Sequence, residues 1–408
     1  MNLPNLPTRI AELKDEFHTE LLSIADWWVT HTIDHVHGGF FGEVDVRNNA
    51  ISNSNKGIIL NARILWFFSE AALHTESAPN NAIYRDCATR AYHYIIQYFF
   101  DKDNGGVYWE LDASGNPVNT RKQVYAQAFT IYALSAYYRM VRRREVLDNA
   151  LRLFKLLESK AVDRKDEGYL EAFAQDWSPI DDMRLSSVDL NYPKSQNTHL
   201  HVLEAYTAFH NVHPVAEVKA ALRYNIEIFD RFMINRDNHH LRMFMDMQWK
   251  DYSTGYTYGH DIEAAWLIAK ALESLNDPSY TATLLPTLLK VAEVTFNEAI
   301  AEDGRLLNAY SFESKSIDAS SMWWVQAEAL VGFLFAYTET QDSKYLDAAT
   351  GIWNFIKQHQ IDRVNGEWFW LADNDQTDHK EHYKVGFWKC PYHNGRAMIE
   401  ATRYLDRV

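Results

Sequence analysis

The chain has 408 residues, 47% of them hydrophobic, and a formal net charge of −15 at pH 7. That acidity argues against binding nucleic acid or an anionic membrane, and no uncharged apolar stretch of about 18 residues is present to span a bilayer. Two cysteines, Cys87 and Cys390, form no disulfide framework, and the start MNLPNLPTRIAELKDEF lacks a basic region leading into an apolar run, so a reducing, cytoplasmic location is expected.

Along the chain, an acidic or amide residue opens a short turn six times, and each turn runs into an aromatic or aliphatic strand-like stretch. The copies start at Asp34 (DHVHGGFFGEVD), Asp101 (DKDNGGVYWELD), Asp163 (DRKDEGYLEAF), Asn235 (NRDNHHLRMFMD), Glu302 (EDGRLLNAYSF) and Asp362 (DRVNGEWFWLAD), at intervals of 60 to 72 residues. Two helix-length segments separate successive copies. A unit of helix, hairpin and helix repeated six times is the signature of a repeat architecture. Each unit needs its neighbours to bury its apolar face, so the chain reads as one domain over residues 1–408. The predicted fold is all-α: an (α/α)6 barrel of twelve helices in six repeats, with short β-hairpins in the connections and a funnel at its axis.

The two helices of each unit differ in texture. The segment 215–232, VAEVKAALRYNIEIFDRF, carries charges that interrupt an apolar stripe and reads as an outer helix. The inner candidates are apolar almost all round: 59–73, 124–138, 197–209, 260–272, 323–337 and 391–405. Their polar residues crowd the first turns: Asn61 and Arg63, Gln127, Asn197 and His201, His260 and Glu263, Gln326 and Glu328, His393 and Arg396. Starts of alternate helices share one end of such a barrel, so these residues are expected to converge at one mouth. Helix N-termini there suit a site that stabilises developing negative charge. Three loops, 112–122, 174–196 and 372–389, are longer than the repeat needs and are expected to rim that mouth; Trp177 and Trp388 lie in two of them.

His260 and Glu263 are spaced i, i+3, Asn197 and His201 are spaced i, i+4, and His393 opens the last inner helix. Four chemistries compete for this set. His201, His260, His393 and Glu263 could hold zinc or manganese, although no tight motif such as HExxH is present. Glu263 with Glu328 or Glu171 could flank a glycosidic bond. Cys390 with His393 could form a nucleophile pair. Proton transfer beside a carbonyl fits best, because imidazole is both acid and base near neutrality. Arg63 would then stabilise an enolate oxygen, and Glu263 would orient His260. The aromatics Trp66, Trp266, Trp323 and Trp324 sit on inner helices, where core packing is the ordinary role. The paired glycines Gly38–Gly39 and Gly105–Gly106 read as turn residues, not phosphate loops.

At LNARILW (60–66), NTHLHVLEAY (197–206), GHDIEAAWL (259–267), WWVQAEAL (323–330) and KCPYHNGRA (389–397) the chain resembles the N-acylglucosamine 2-epimerase superfamily, over essentially its whole length. The stretches NTHLHVLEA and KCPYHNGRA resemble the branch acting on cellobiose. The resemblance implies a cofactor-independent, metal-free barrel that inverts C2 of the reducing-end sugar of β-1,4-linked disaccharides. It places the acid–base pair on His260 and His393, and the oxygen-binding arginine on Arg63. Substrate contacts fall on Asn197, His201, Glu263, Trp266, Trp324, Glu328 and Trp388, with Tyr108 and Trp177 as loop-borne additions. An aldose–ketose isomerase of the mannose/fructose type, which shares the enediolate, and an N-acylglucosamine 2-epimerase are the alternative enzymes; a sugar-binding protein is the non-enzymatic one. The expected partner is a small disaccharide, with no nucleic acid or membrane, and a monomer is expected.

Overall fold

Inner and outer helices separate by how many of their faces are apolar. The computed structural model describes residues 5–373 and 382–408. Among these, the inner helices are α2 (Ile58–His74), α4 (Val124–Val141), α6 (Gln196–Val212), α8 (Tyr258–Leu275), α10 (Trp323–Thr340) and α12 (His393–Leu405). The outer helices are α1 (Leu6–His31), α3 (Asn81–Tyr94), α5 (Arg144–Lys160), α7 (Ala216–Ile228), α9 (Pro278–Ala299) and α11 (Ser343–Phe355). Every residue of α2 from Ile58 to Ala72 is buried, as a helix packed on both sides requires. By contrast α5 buries one stripe, Val146, Ala150, Leu153, Phe154 and Leu157.

Each inner helix packs against the next, and α12 returns to α2, which closes the ring. The outer helix that packs on α12 is α1, so the sixth unit is assembled from both ends of the chain. A short antiparallel pairing, Val44 opposite Val385, fastens the same seam. This is the (α/α)6 barrel expected from the repeat. No helix among the described residues is long and apolar enough to cross a membrane.

The recurring turns have one construction. Each is bracketed by an isolated antiparallel bridge, from Ile33–Phe40 in the first to Ile361–Trp368 in the last. The opening aspartate accepts backbone N–H bonds from residues two and three further on, as Asp101 does from Asp103 and Asn104. Its second oxygen receives a buried lysine from just before the next inner helix: Lys56 on Asp34, Lys122 on Asp101, Lys194 on Asp163 and Lys384 on Asp362. The fourth turn has Asn235 and no such lysine. The fifth opens on Ala301, whose N–H bonds Arg305, and its bridge Ile300–Leu306 encloses one residue fewer. The expected acidic start at Glu302 is therefore displaced by one position.

First-turn polar residues of the inner helices do not all face the funnel. Gln127 donates to the carbonyl of Val107 and accepts from its N–H, and Gln326 does the same for Leu306. They satisfy backbone groups of a bridge that has no neighbouring strand to do so. Trp177 is likewise structural: its indole N–H bonds the carbonyl of Asn104 at 3.0 Å and its ring lies against Gly106. Gly106 has φ +76°, and a Cβ there would meet the Trp177 ring at 2.8 Å.

The Lys122–Asp101 pair is fully buried at 2.8 Å. Asp101→Ala is expected to destabilise the protein by about 3–5 kcal/mol, because it strands a buried ammonium. Asp101→Leu combined with Lys122→Met should recover most of that loss. Guanidinium unfolding midpoints at pH 7 check both; a single variant as stable as the parent would show the pair carries no such load.

Candidate active site

Arg396 stands at the centre of the polar residues that the inner helices gather. Its guanidinium donates to Glu204 (2.5 Å), Glu328 (2.7 Å), Glu263 and the Tyr392 hydroxyl, and it is 1% exposed. Two of these carboxylates hold histidines. Glu328 Oε1 accepts from His393 Nδ1 at 2.6 Å, and Glu204 Oε2 pairs with His201 Nδ1 at 3.1 Å. Glu328 Oε2 also accepts from the Trp266 indole at 3.2 Å. One cation on α12 thereby fixes groups from α6, α8 and α10.

Arg63 sits beside this cluster. It donates to the Tyr125 hydroxyl at 2.8 Å and to the carbonyl of Trp388 at 3.3 Å, and its plane lies over Phe129 and Tyr392 at 4.4 and 4.5 Å. Its Nε is buried without a partner. His201 packs between Tyr125 and Phe129. His260 lies 4.7 Å from the Trp324 ring, and His393 lies 5.8 Å from the same ring. Trp324, Trp388 and Asn197 are half-buried, and Asn197 Oδ1 has no hydrogen-bond partner.

Burial governs the titration of these groups. It pushes the His260 imidazole down to about 4. It pushes His393 well below the usual histidine range, against the pull of Glu263. Burial works to raise Glu204, but Arg396, His201 and Tyr392 override it and hold that carboxyl at about 2. Glu263 and Glu328 stay above the usual carboxylate range through burial, and the charge of Glu328 adds to the rise of Glu263.

The structure brings together His201, His260, Glu263, Trp266, Trp324, Glu328, Trp388, His393 and Arg63. It corrects two roles. Glu263 engages Arg396, while His260 Nδ1 is 2.6 Å from the Thr257 hydroxyl, so Thr257 rather than Glu263 orients that imidazole. Tyr108 covers Lys122 Nζ at 4.7 Å, at the second turn. Glu171 accepts from the Ser195 N–H and the Thr198 hydroxyl, capping α6, and burial raises it to about 7. Glu263 and Glu328 share one nitrogen of Arg396, which leaves no room for a glycosidic bond between them. Cys390 Sγ faces Arg63 Nη1 at 3.7 Å, not His393. The loop 372–389 falls partly outside the described residues.

Glu204, Tyr125, Tyr392 and Thr257 were not singled out as site residues, and Arg396 only as a polar residue of a first turn. Arg396 is three residues after His393 and Glu204 three after His201, so helical spacing was the available signal. Glu263, Glu328 and His393 place ligand-capable atoms within 4.8 Å of one another. Both carboxylates are already engaged by the Arg396 guanidinium, and a divalent cation there would face that positive charge directly. The donor set therefore fits a metal poorly.

Fold and cluster together define an (α/α)6-barrel protein whose inner-helix starts gather histidines, carboxylates and arginines. The family model for N-acylglucosamine 2-epimerase (GlcNAc 2-epimerase) matches residues 39–397. The cellobiose 2-epimerase of Bacteroides fragilis is 39% identical over 95% of this chain and 98% of its own, and that of Dictyoglomus turgidum is 37% identical over 91% and 93%. The solved cellobiose 2-epimerase of Spirochaeta thermophila superposes with a TM-score of 0.89, at 34% identity, over 99% of both chains. The chain belongs to the N-acylglucosamine 2-epimerase family; its likeness within that family is to the cellobiose 2-epimerases, and it is a sugar epimerase.

His260 in the folded protein takes its proton near pH 4, against 6.5 for the free side chain. Between those values the unfolded chain binds the extra proton, so stability rises with pH and is lost as pH falls from 6.5 toward 4. His260→Asn should lower the slope of melting temperature against pH in that window. Identical slopes for variant and parent would mean that the imidazole is not desolvated.

Proposed function

We propose that the protein inverts C2 of the reducing-end sugar of a β-1,4-linked disaccharide such as cellobiose or lactose, by proton transfer between two histidines through a cis-enediolate. The observation that carries this reading is the pair of imidazoles beside Trp324. Each has Nδ1 engaged by the protein, so that Nε2 is the nitrogen available for proton transfer. The relatives that carry the name cellobiose 2-epimerase support the substrate class.

The reaction starts from the open-chain aldehyde, where the C2 proton is acidic beside a carbonyl. One imidazole takes that proton, and the electron pair of the C–H bond moves into the C1–C2 bond as the carbonyl oxygen gains charge. Arg63 receives that charge, and His201 holds the neighbouring oxygen. The other histidine, protonated, delivers its proton to the opposite face of C2. Donors of this kind contribute about 10²–10³-fold each, and acid–base assistance about 10²–10⁴-fold. Arg63 and Arg396 face Glu204, Glu263 and Glu328, an excess of one negative charge that favours a histidinium against the burial that pushes both imidazoles down. Trp324 and Trp388 form the surfaces on which the sugar rings stack, with the second ring toward the mouth.

In D2O, the epimer formed from cellobiose should carry deuterium at C2, read by proton NMR. His260→Asn and His393→Asn should each stop net epimerisation. Each should still exchange the C2 proton of one epimer, the glucose-ended sugar for one variant and the mannose-ended sugar for the other. The two-histidine reading fails if both variants exchange the same epimer, or if either one epimerises at the parental rate. Accumulation of a ketose as the main product would shift the assignment to an aldose–ketose isomerase.

A further inference from the structure

In the first three turns the residue before the bridge is a glycine: Gly39, Gly106 and Gly168, at φ +61°, +76° and +85°. A Cβ at those places would strike the rings of Tyr94, Trp177 and Trp249. In the sixth turn the same position is Glu367, whose backbone keeps the left-handed conformation at φ +60°. Any side chain larger than that of glycine is strained there. The strain is retained for a fully buried carboxylate whose partners lie outside the turn.

Glu367 Oε2 accepts from the Trp28 indole of α1 at 3.0 Å. Its Oε1 accepts from Lys389 Nζ at 3.0 Å and from Asn394 Nδ2 at 2.7 Å. One oxygen therefore joins the chain just before α12 to the first turn of α12. The other ties both to the outer helix that packs on α12. No side chain caps the start of α12, so its first turn is fixed from outside. In the second and fifth copies a first-turn glutamine bonds the backbone of the preceding turn, whereas in the sixth Asn394 bonds the Glu367 carboxylate. A carboxylate suits this place better than an amide. The buried Lys389 ammonium needs a counter-charge, and two acceptor oxygens take all three donors.

The segment held in this way belongs to the candidate site. The Trp388 carbonyl accepts from Arg63 at 3.3 Å, and His393 precedes Asn394. Lys389 Nζ lies 5.4 Å from the Trp323 ring, which meets His393 edge-on at 6.4 Å. Glu367 itself has no exposed side-chain surface to offer a substrate. We propose that Glu367 is a positioning residue for the epimerisation: through Lys389 and Asn394 it sets where His393 and Trp388 stand in the funnel. It acts on His393 more than on His260, which rides on α8. The proposal rests on the reading of His393 as one of two bases.

The test follows C2 proton exchange in D2O with the glucose-ended and the mannose-ended disaccharide for Glu367→Gln and the parent. His393→Asn and His260→Asn mark which epimer each histidine serves, and circular dichroism with thermal melting gives the folded fraction. A misplacement of about 1 Å costs up to about 10²-fold, so net epimerisation by folded Glu367→Gln should fall about 10- to 100-fold, and exchange of the epimer served by His393 should fall about tenfold further than exchange of the other. A merely structural defect lowers both exchanges alike. Asn394→Ala cuts α12 from Glu367 and leaves the buried ion pair in place; it should show the same asymmetry, and it takes over where Glu367→Gln does not fold. Equal losses in the two exchanges, or the parental rate, overturn the proposal. The two-histidine reading fails separately, if His393→Asn epimerises at the parental rate. Glu367 is then judged on net epimerisation, where a loss by the folded variant supports its role and the parental rate overturns it.

Discussion

Three carboxylates within reach of one another do not all ionise in a buried site unless a cation joins them. Arg396 is that cation, and the rest of the centre takes its geometry from it. A guanidinium suits the task because its planar fork donates in several fixed directions at once, which an ammonium does not. Through Glu328 it sets His393 and Trp266, and through Glu204 it sets His201 and Tyr392. Such a buried network is weak evidence for stability, since desolvation offsets much of the attraction. Its value lies in orientation: removing one carboxylate changes the company of every other group.

Ring closure and catalysis are therefore one constraint. Arg396 and His393 both ride on α12, the last helix formed by the chain. That helix is positioned by α10 and α2 beside it and by α1 outside it. The Val44–Val385 pairing ties the same seam. A barrel that failed to close would lose its central cation and one of the two imidazoles beside Trp324 together. The turns make closure reproducible: an aspartate that folds the turn and a lysine that leads into the next inner helix bring that helix start to a common level. The fifth turn, which opens on Ala301, departs from this plan, and so does the fourth. Its Asn235 has no lysine, and in the lysine's stead Tyr256 stacks on His240 at 3.5 Å, with His240 joined to Asp261.

The architecture was legible because its cause is periodic. The turn aspartates recur for a local reason, and apolar inner helices follow from being packed on two sides, so both leave marks in the sequence. The histidines, Arg63, Glu263 and Glu328 were legible because polar residues at the starts of apolar helices are costly without a use. Legibility ended where a side chain's direction decides its role. Gln127 and Gln326 have the same helical address as the residues of the candidate site but turn outward to bridge backbones. Trp177 lies in a long loop, yet braces a glycine. Glu263 has the right spacing for His260, yet Arg396 is the stronger partner for a carboxylate than a neutral imidazole already served by Thr257. Spacing along one helix reports neighbours on that helix, and the decisive contacts here run between helices.

The two imidazoles beside Trp324, the bases of the proposed mechanism, are unequally supported. His393 is backed by a carboxylate and His260 by a hydroxyl. An ionised carboxylate stabilises an imidazolium far more than a hydroxyl does, but Glu328 shares its charge with Arg396 and Trp266, which reduces what it gives to His393. The guanidinium thus trims the difference between the two imidazoles and opposes the rise that burial imposes on the carboxyl. That balance matters for a reversible epimerisation. Were one imidazole much the stronger base, the shared proton would rest on it, and the direction needing it neutral would be slow. The proposed mechanism therefore requires that the proton rest on either side at comparable cost. In the proposed mechanism the central arginine would do more than hold the site together: by drawing on Glu328 it would limit the advantage that a carboxylate gives His393 over His260.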